Sequence, residues 1–104
     1  MPDAPTTDSS PNALLALIGG HRTTAVVYVA CRLELPDLLA DGPKTVVDLA
    51  ARTEAHAPSL RRLLRAMVTL GLCTAPDGDA FALTPLGRHL VSTTERSLRP
   101  WALF

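Results

Sequence analysis

The residue types that could carry out chemistry in this chain are few and widely separated. None of the three histidines has a Cys, Asp or Glu at the spacing that metal ligands use; they are His21, His56 and His89. The pair Gly19-Gly20 lacks the preceding strand and the residue spacing of a phosphate-binding loop. The sequence therefore predicts no catalytic residue, no metal site and no cofactor-binding site.

Cysteine use and composition limit the class of protein further. Cys31 and Cys73 form no CxxC pair, and two cysteines without a secretory signal do not make a disulfide framework, so we expect two reduced core residues. A chain of 104 residues forms one domain at most. Because 47% of the residues are hydrophobic but only 4% are aromatic, the core must be aliphatic. No apolar run is long enough to span a membrane, and we expect a cytoplasmic protein.

One amphipathic helix carries a row of arginines that could bind DNA. Leu60 to Leu72 places its apolar side chains on one side, and Gly71 can end the helix in a left-handed turn. The opposite side carries Arg61, Arg62 and Arg65, which could reach bases or phosphates. The alternative is a solvated helix face. A net charge of zero and an acidic turn at 76–79 favour this alternative.

The elements around that helix predict a mainly α-helical, winged-helix-like domain. We expect helices at 13–18, capped by Asn12, at 22–33 and 35–39, and at 46–52, capped by Thr45 with Val46, Val47, Leu49 and Ala50 inward. A two-stranded hairpin (73–75 and 80–83) should follow the long helix, and then a helix over 84–91 and an extended segment over 92–99. Residues 1–11 are predicted to be a disordered tail, and residues 12–104 the domain.

The second predicted helix is apolar almost all the way round, although its valines would also suit a strand. A helix of that kind must be buried on every side, and the remaining chain is too small to surround it. We therefore expect an intertwined homodimer, the alternative being a monomer with this helix at its centre. The predicted interface residues are Leu14, Leu17, Ile18, Val26, Val27, Tyr28 and Val29. The Tyr28 hydroxyl could instead point into a ligand pocket.

The chain ends on an apolar segment, which is unusual for a domain terminus. The last four residues include Trp101, Leu103 and Phe104, and Trp101 and Phe104 are two of the four aromatic residues in a chain poor in aromatics. Terminal residues are usually polar and frayed. Either more protein belongs after this segment, in the same product or as a partner, or the segment folds back on its own core.

Three motifs, in order, resemble the small-molecule O-methyltransferases. Residues 33–50, LELPDLLADGPKTVVDLA, are similar to their L-x-L-x-D-x-L-A-x-G-P-x-T-x-x-E-L-A stretch. Leu60 to Arg65, followed by Gly71, resembles their L-x-R-L-L-R-x-L-x-x-x-G helix, and Phe81 to Gly87 their F-x-x-T-x-x-G segment. The resemblance covers residues 13–103 and is nearest to enzymes that modify aromatic polyketides and plant phenolics.

The resemblance implies the N-terminal dimerisation domain of such an enzyme. In that family the first helices swap across the dimer and form part of the partner's substrate pocket. S-adenosylmethionine and the catalytic base belong to a later Rossmann-like domain, which is absent here, so this chain alone should be inactive. Expected partners are a second copy, a catalytic domain in cis or trans and an aromatic small molecule. The alternatives are a winged-helix transcription regulator and a stand-alone small-molecule binding protein.

Overall fold

The computed structural model describes residues 10–104, which form a mainly helical domain with a small antiparallel sheet. The helices and strands follow one another in this order: α1 (Ser10–Ile18), α2 (Gly20–Arg32), α3 (Leu35–Leu39), β1 (Lys44–Thr45), α4 (Val46–Thr53), α5 (Ala57–Thr69), β2 (Cys73–Thr74), β3 (Ala80–Leu83), a 3-10 helix (Gly87–Leu90) and α6 (Arg99–Leu103).

The two N-terminal helices meet at Gly19 with a bend of 49°. Segment 20–32 is helical, as predicted, and not a strand. α1 begins at Ser10, so the prediction that Asn12 caps it is wrong, because Asn12 lies inside the helix. Ser10 and Pro11 are helical although they were predicted to lie in the tail, and residues 1–9 of that tail lie outside the described residues.

The start of α4 follows the chemistry of its capping residue. The Thr45 hydroxyl accepts a hydrogen bond from the Asp48 backbone N–H at 3.2 Å, which confirms the predicted cap. Val46 and Leu49 are buried as expected. The inward position predicted for Val47 is wrong: its side chain is 75% exposed, since successive helical residues differ by about 100° in direction.

α5 is the central amphipathic helix of the domain. Leu60, Leu64 and Met67 are buried on its inner side. Pro58 stands in its first turn, where a missing N–H costs nothing. Beyond its end, Gly71 adopts φ +82°, the left-handed conformation predicted for it.

The sheet has three strands in the order β1-β3-β2, which corrects the predicted two-stranded hairpin. The hairpin β2–β3 forms as expected, with Cys73 opposite Leu83. The additional strand β1 pairs antiparallel with β3, placing Lys44 opposite Phe81. β1 has only two residues and pairs with a segment some 36 positions later, so it has no alternating pattern of its own.

The segment after the sheet is less helical than its sequence suggests. The helix predicted over 84–91 is reduced to the 3-10 helix, with the Gly87 N–H donating to the Thr84 hydroxyl at 3.1 Å. Gly87 packs so closely that an added Cβ would overlap the Leu72 carbonyl oxygen. The predicted extended segment 92–99 is instead a series of turns, because the Leu98 N–H reaches back to the His89 carbonyl at 2.7 Å.

The core lies between the C-terminal half of α2, helices α3, α4 and α5, and the sheet. Its side chains are aliphatic apart from Phe81 and the sulfur-containing residues, as the composition predicted. No buried polar or charged residue occurs within positions 10–104. In that range no single helix is long and apolar enough to cross a membrane, and only the bent pair α1 and α2, taken together, meets that requirement.

Candidate functional site

The histidines lie on three different elements and are all exposed. His21 is in α2, His56 precedes α5, and His89 is in the 3-10 helix. Within residues 10–104 no three His, Cys, Asp or Glu side chains are grouped so that they could hold a metal ion. His56 Nδ1 lies 2.9 Å from the Ser59 hydroxyl, which also accepts a hydrogen bond from Arg62 Nη2 at 3.3 Å. This small polar group was not predicted from the sequence.

Both cysteines are free and buried, as predicted for small core residues. Burial raises the pKa of Cys73 to about 11. Burial also raises the pKa of Cys31, with the Arg99 charge opposing and the Asp37 charge adding to this effect. Because the thiolate is the nucleophile, thiols held protonated in this way are unreactive at neutral pH.

The two N-terminal helices expose an apolar face, which we define as Leu14, Leu17, Ile18, Tyr28 and Val29. α1 contains no charged residue and buries none of its side chains. Leu17 is 78% exposed, and Tyr28 and Val29 are about two-fifths exposed. The other two predicted interface residues, Val26 and Val27, are half-buried against the core. Exposed apolar area of this kind marks a binding surface.

A groove of about 290 Å³ adjoins this face between α2 and the start of α5. Its walls are apolar except at one end, where His56 and Ser59 lie, and the residues lining it are Ala25, Val26, Val29, Leu33, Ala55, His56, Ser59, Leu60 and Leu63. Only Val26 and Val29 of this set were predicted as interface residues. The α2 side could have been recognised from Ala25, Val29 and Leu33, which recur every four residues on one side of the helix.

The three arginines proposed as DNA contacts lie on the outer side of α5. Arg62 and Arg65 are exposed and Arg61 is half-buried. The ion pairs within residues 10–104 are Lys44–Asp41 and Arg52–Asp48, so none of these three arginines pairs with a carboxylate there. The turn between β2 and β3 exposes Asp77 and Asp79, which gives that end of the sheet a negative charge.

A second apolar surface lies at the C-terminal end of the chain. Trp101 is 76% exposed and Phe104 is fully exposed. α6 packs along α2 and leaves a trough of about 330 Å³ that is lined by Thr23, Thr24, Val27, Leu90, Leu98, Trp101 and Ala102. The terminal segment therefore folds back on the domain but leaves its aromatic side chains uncovered.

Fold and surfaces together define a helical domain with an uncovered apolar face. A family model for the O-methyltransferase dimerisation domain matches residues 15–93. The crystal structure of LaPhzM superposes with a TM-score of 0.84 at 42% identity, covering 89% of this chain and 28% of that one. The chain belongs to the O-methyltransferase dimerisation domain family.

Curated relatives agree with this membership. The chain is 43% identical over 90 residues to the phenazine O-methyltransferase PhzM of Lysobacter antibioticus, covering 86% of this chain and 26% of the relative. It is 46% identical over 79 residues to the 8-amino-8-demethylriboflavin N,N-dimethyltransferase of Streptomyces davaonensis, covering 76% of this chain and 23% of that relative. The chain therefore spans about a quarter of the length of these relatives and corresponds to an N-terminal fragment of larger methyltransferases.

Proposed function

We propose that this chain forms an intertwined homodimer through α1 and α2. The observation that carries the proposal is α1, a nine-residue helix without a charged residue and without a buried side chain. Leu14, Leu17 and Ile18 are spaced i, i+3 and i+4, which is the pattern of side chains that helices use when they bind in an apolar groove. An isolated helix of this length is marginal in water, so its stability has to come from packing.

The groove between α2 and α5 is the proposed seat for α1 of the second copy. Its apolar walls continue directly onto the exposed side of Val29. A two-fold axis would bury the same surface on both copies and cover α2 on the side that the core leaves open. Val26, which lines this groove, would then be enclosed on one side by the core and on the other by the partner. Val27 instead lines the trough beside α6, so an α1 helix seated in this groove would not cover it.

The order α3, β1, α4, α5, β2, β3 supports a winged-helix-like arrangement, with the β2–β3 turn as the wing. We propose that this arrangement contacts protein and not DNA. The wing carries Asp77 and Asp79, which would repel phosphates, and the net charge of the chain is zero. Binding of DNA by Arg61, Arg62 and Arg65 stays the untested alternative.

We propose that any methyl transfer is carried out by residues outside this chain. S-adenosylmethionine does not fit the residues described here, because Gly19-Gly20 joins two helices and no glycine-rich loop follows a strand within residues 10–104. We propose that a catalytic domain, in cis or trans, docks on the α6 end, where Trp101 and Phe104 are exposed. The apolar face would then close over an aromatic substrate, with the phenazine and flavin relatives indicating the kind of molecule.

Photocrosslinking from α1 tests the dimer proposal. With p-benzoylphenylalanine in place of Leu17, illumination should give a covalent dimer whose crosslinks map to Ala25–Val29 of the second copy. The matched control carries the same group at Val47, which is equally exposed (75% against 78%) but lies on α4. The proposal fails if position 17 gives no covalent dimer, or if position 47 crosslinks as well.

The substrate-closing role has a separate test. Addition of a hydroxylated phenazine should raise the Tm of the dimer, because a ligand that binds only the folded state stabilises it. Replacing Tyr28 with Ala should reduce this shift if the ring lines the bound molecule. An unchanged Tm at saturating phenazine would remove ligand contact from the function of this domain and leave dimerisation alone.

A further inference from the structure

Two side chains tie the 3-10 helix to α3 at both of its ends. Asp37 Oδ1 accepts a hydrogen bond from the Ser92 backbone N–H at 2.7 Å, just after the 3-10 helix. Arg88 Nη1 donates to the Ala40 carbonyl oxygen at 3.2 Å from inside that helix. Both bonds join segments about 50 residues apart in sequence, whereas the other side-chain bonds described join near neighbours, apart from Thr84 to Gly71. Together they form the α3 clamp.

The segment that follows the clamp turns back onto the same 3-10 helix. The His89 carbonyl oxygen accepts from the Leu98 N–H at 2.7 Å and from the Ser97 hydroxyl at 3.5 Å. The Ser97 hydroxyl also accepts from the Arg99 N–H, the first residue of α6, at 3.2 Å. The start of α6 therefore depends on where the α3 clamp holds His89.

α6 lies at the corner between α2 and the 3-10 helix, since it packs against both of these elements. The 3-10 helix in turn packs against α3, and α3 packs against α2. From this corner α6 runs along α2, where Trp101 and Ala102 face Thr23 and Val27 across the trough.

We propose that Asp37 and Arg88 are positioning residues that set the direction in which α6 leaves the domain. They thereby set the orientation of the catalytic domain that docks at α6. This inference rests on the proposed docking of a catalytic domain at α6. Asp37 does not contact that partner; it acts through Ser92 and His89. The 2.7 Å bond from a carboxylate to a backbone N–H is of the charge-assisted kind, which is stronger than a neutral hydrogen bond.

Hydrogen exchange of the full chain tests the proposal residue by residue. In Asp37→Ala, the amides of Trp101, Ala102 and Phe104, which donate to the Leu98 and Pro100 carbonyl oxygens at the turns of α6, should exchange about tenfold faster. The amides of Leu64 and Met67 in α5 should keep their protection. Asp37→Asn, which retains an acceptor oxygen, should restore most of the α6 protection. Arg88→Ala should show the same pattern with a smaller change.

Asp41→Ala is the matched control, since Asp41 is also an acid near the end of α3 but is exposed and forms its salt bridge with the nearby Lys44. It should leave exchange in α6 unchanged. Unchanged α6 exchange in Asp37→Ala overturns the proposal. Equal acceleration in α5 and α6 also overturns it, because Asp37 would then only stabilise the domain as a whole. Exchange within α6 is measured without a docked partner, so failure of the docking proposal would leave this result unchanged, and the two failures are distinguishable.

Discussion

Helices α1 and α5 are both rich in leucine, but only α5 buries its apolar side within this chain. α5 has three buried residues on its inner side and arginines on its outer side, so its apolar side needs no partner. α1 has apolar residues, no charge and no buried residue. Apolar content therefore does not tell where a helix is buried. Charge on the opposite side of the helix does, because a face that stays in water keeps its polar residues.

Helix α2 contributes both to the core and to the apolar face. Near its C-terminal end Ala30 and Cys31 are fully buried in the core, whereas the two residues directly before them, Tyr28 and Val29, are about two-fifths exposed. The same helix thus anchors the N-terminal pair to the domain and presents an apolar side outward.

Charges placed on α1 should break the dimer and leave the domain folded. The double substitution Leu17→Asp and Ile18→Asp should weaken self-association by roughly 10³-fold, or about 4 kcal/mol, because two carboxylates would have to be buried without partners. Sedimentation equilibrium measures the change. Val47→Asp is the control with equal exposure outside the apolar face. Equal loss of association in both variants would contradict the claim that the apolar face, and not α4, joins the two copies.

Truncation of a core residue should act on folding instead. Leu64→Ala removes a fully buried side chain of α5 and should lower the free energy of unfolding by about 3 kcal/mol in urea titrations. Leu86→Ala, at a position that is 57% exposed, should cost less than about 0.5 kcal/mol. A cost at Leu64 as small as that at Leu86 would show that α5 is not the centre of the core.

Loss of the α4 cap should have a smaller effect. Thr45→Ala removes the acceptor for the Asp48 N–H and should lower the free energy of unfolding by about 1 kcal/mol. Thr93→Ala changes the same residue type at an exposed site and should be neutral. If both variants matched the parent chain, the cap would contribute nothing to stability.

The buried thiols should leave the pH dependence of stability unchanged at neutral pH and affect it only in alkali. The pKa of Cys73 is raised from 9.0 to about 11 in the folded state, so its contribution to stability is complete below pH 9. Between pH 9 and 11 the unfolded chain loses a proton that the folded chain keeps, and stability falls as the pH rises. Urea midpoints of the parent should drop over this window, and those of Cys73→Ala should drop less. Parallel curves would contradict the raised pKa.

The parts of the fold that could be predicted from sequence are those set by local chemistry. Thr45 caps α4 through its own hydroxyl, Gly71 takes the left-handed conformation, and the period of Leu60, Leu64 and Met67 defines the inner side of α5. Each of these depends on residues within a few positions of one another.

The missed features depend on partners far away in the chain. Strand β1 exists because Lys44 meets Phe81, and the predicted helix after Thr84 shortens because Gly87 packs against Leu72. The α5 side of the groove and the role of Asp37 follow from tertiary packing in the same way. The interface residues on α1 stay a prediction, since their proposed partner is a second copy.

The solution mass of the purified chain decides whether the apolar face joins two copies. Light scattering near 10 µM, and again after about tenfold dilution, should give about twice 11.1 kDa at both concentrations, because an intertwined dimer dissociates only when its apolar helices are exposed. A folded chain with a mass of 11.1 kDa at both concentrations would contradict the account. The apolar face would then be stable in water without a second copy.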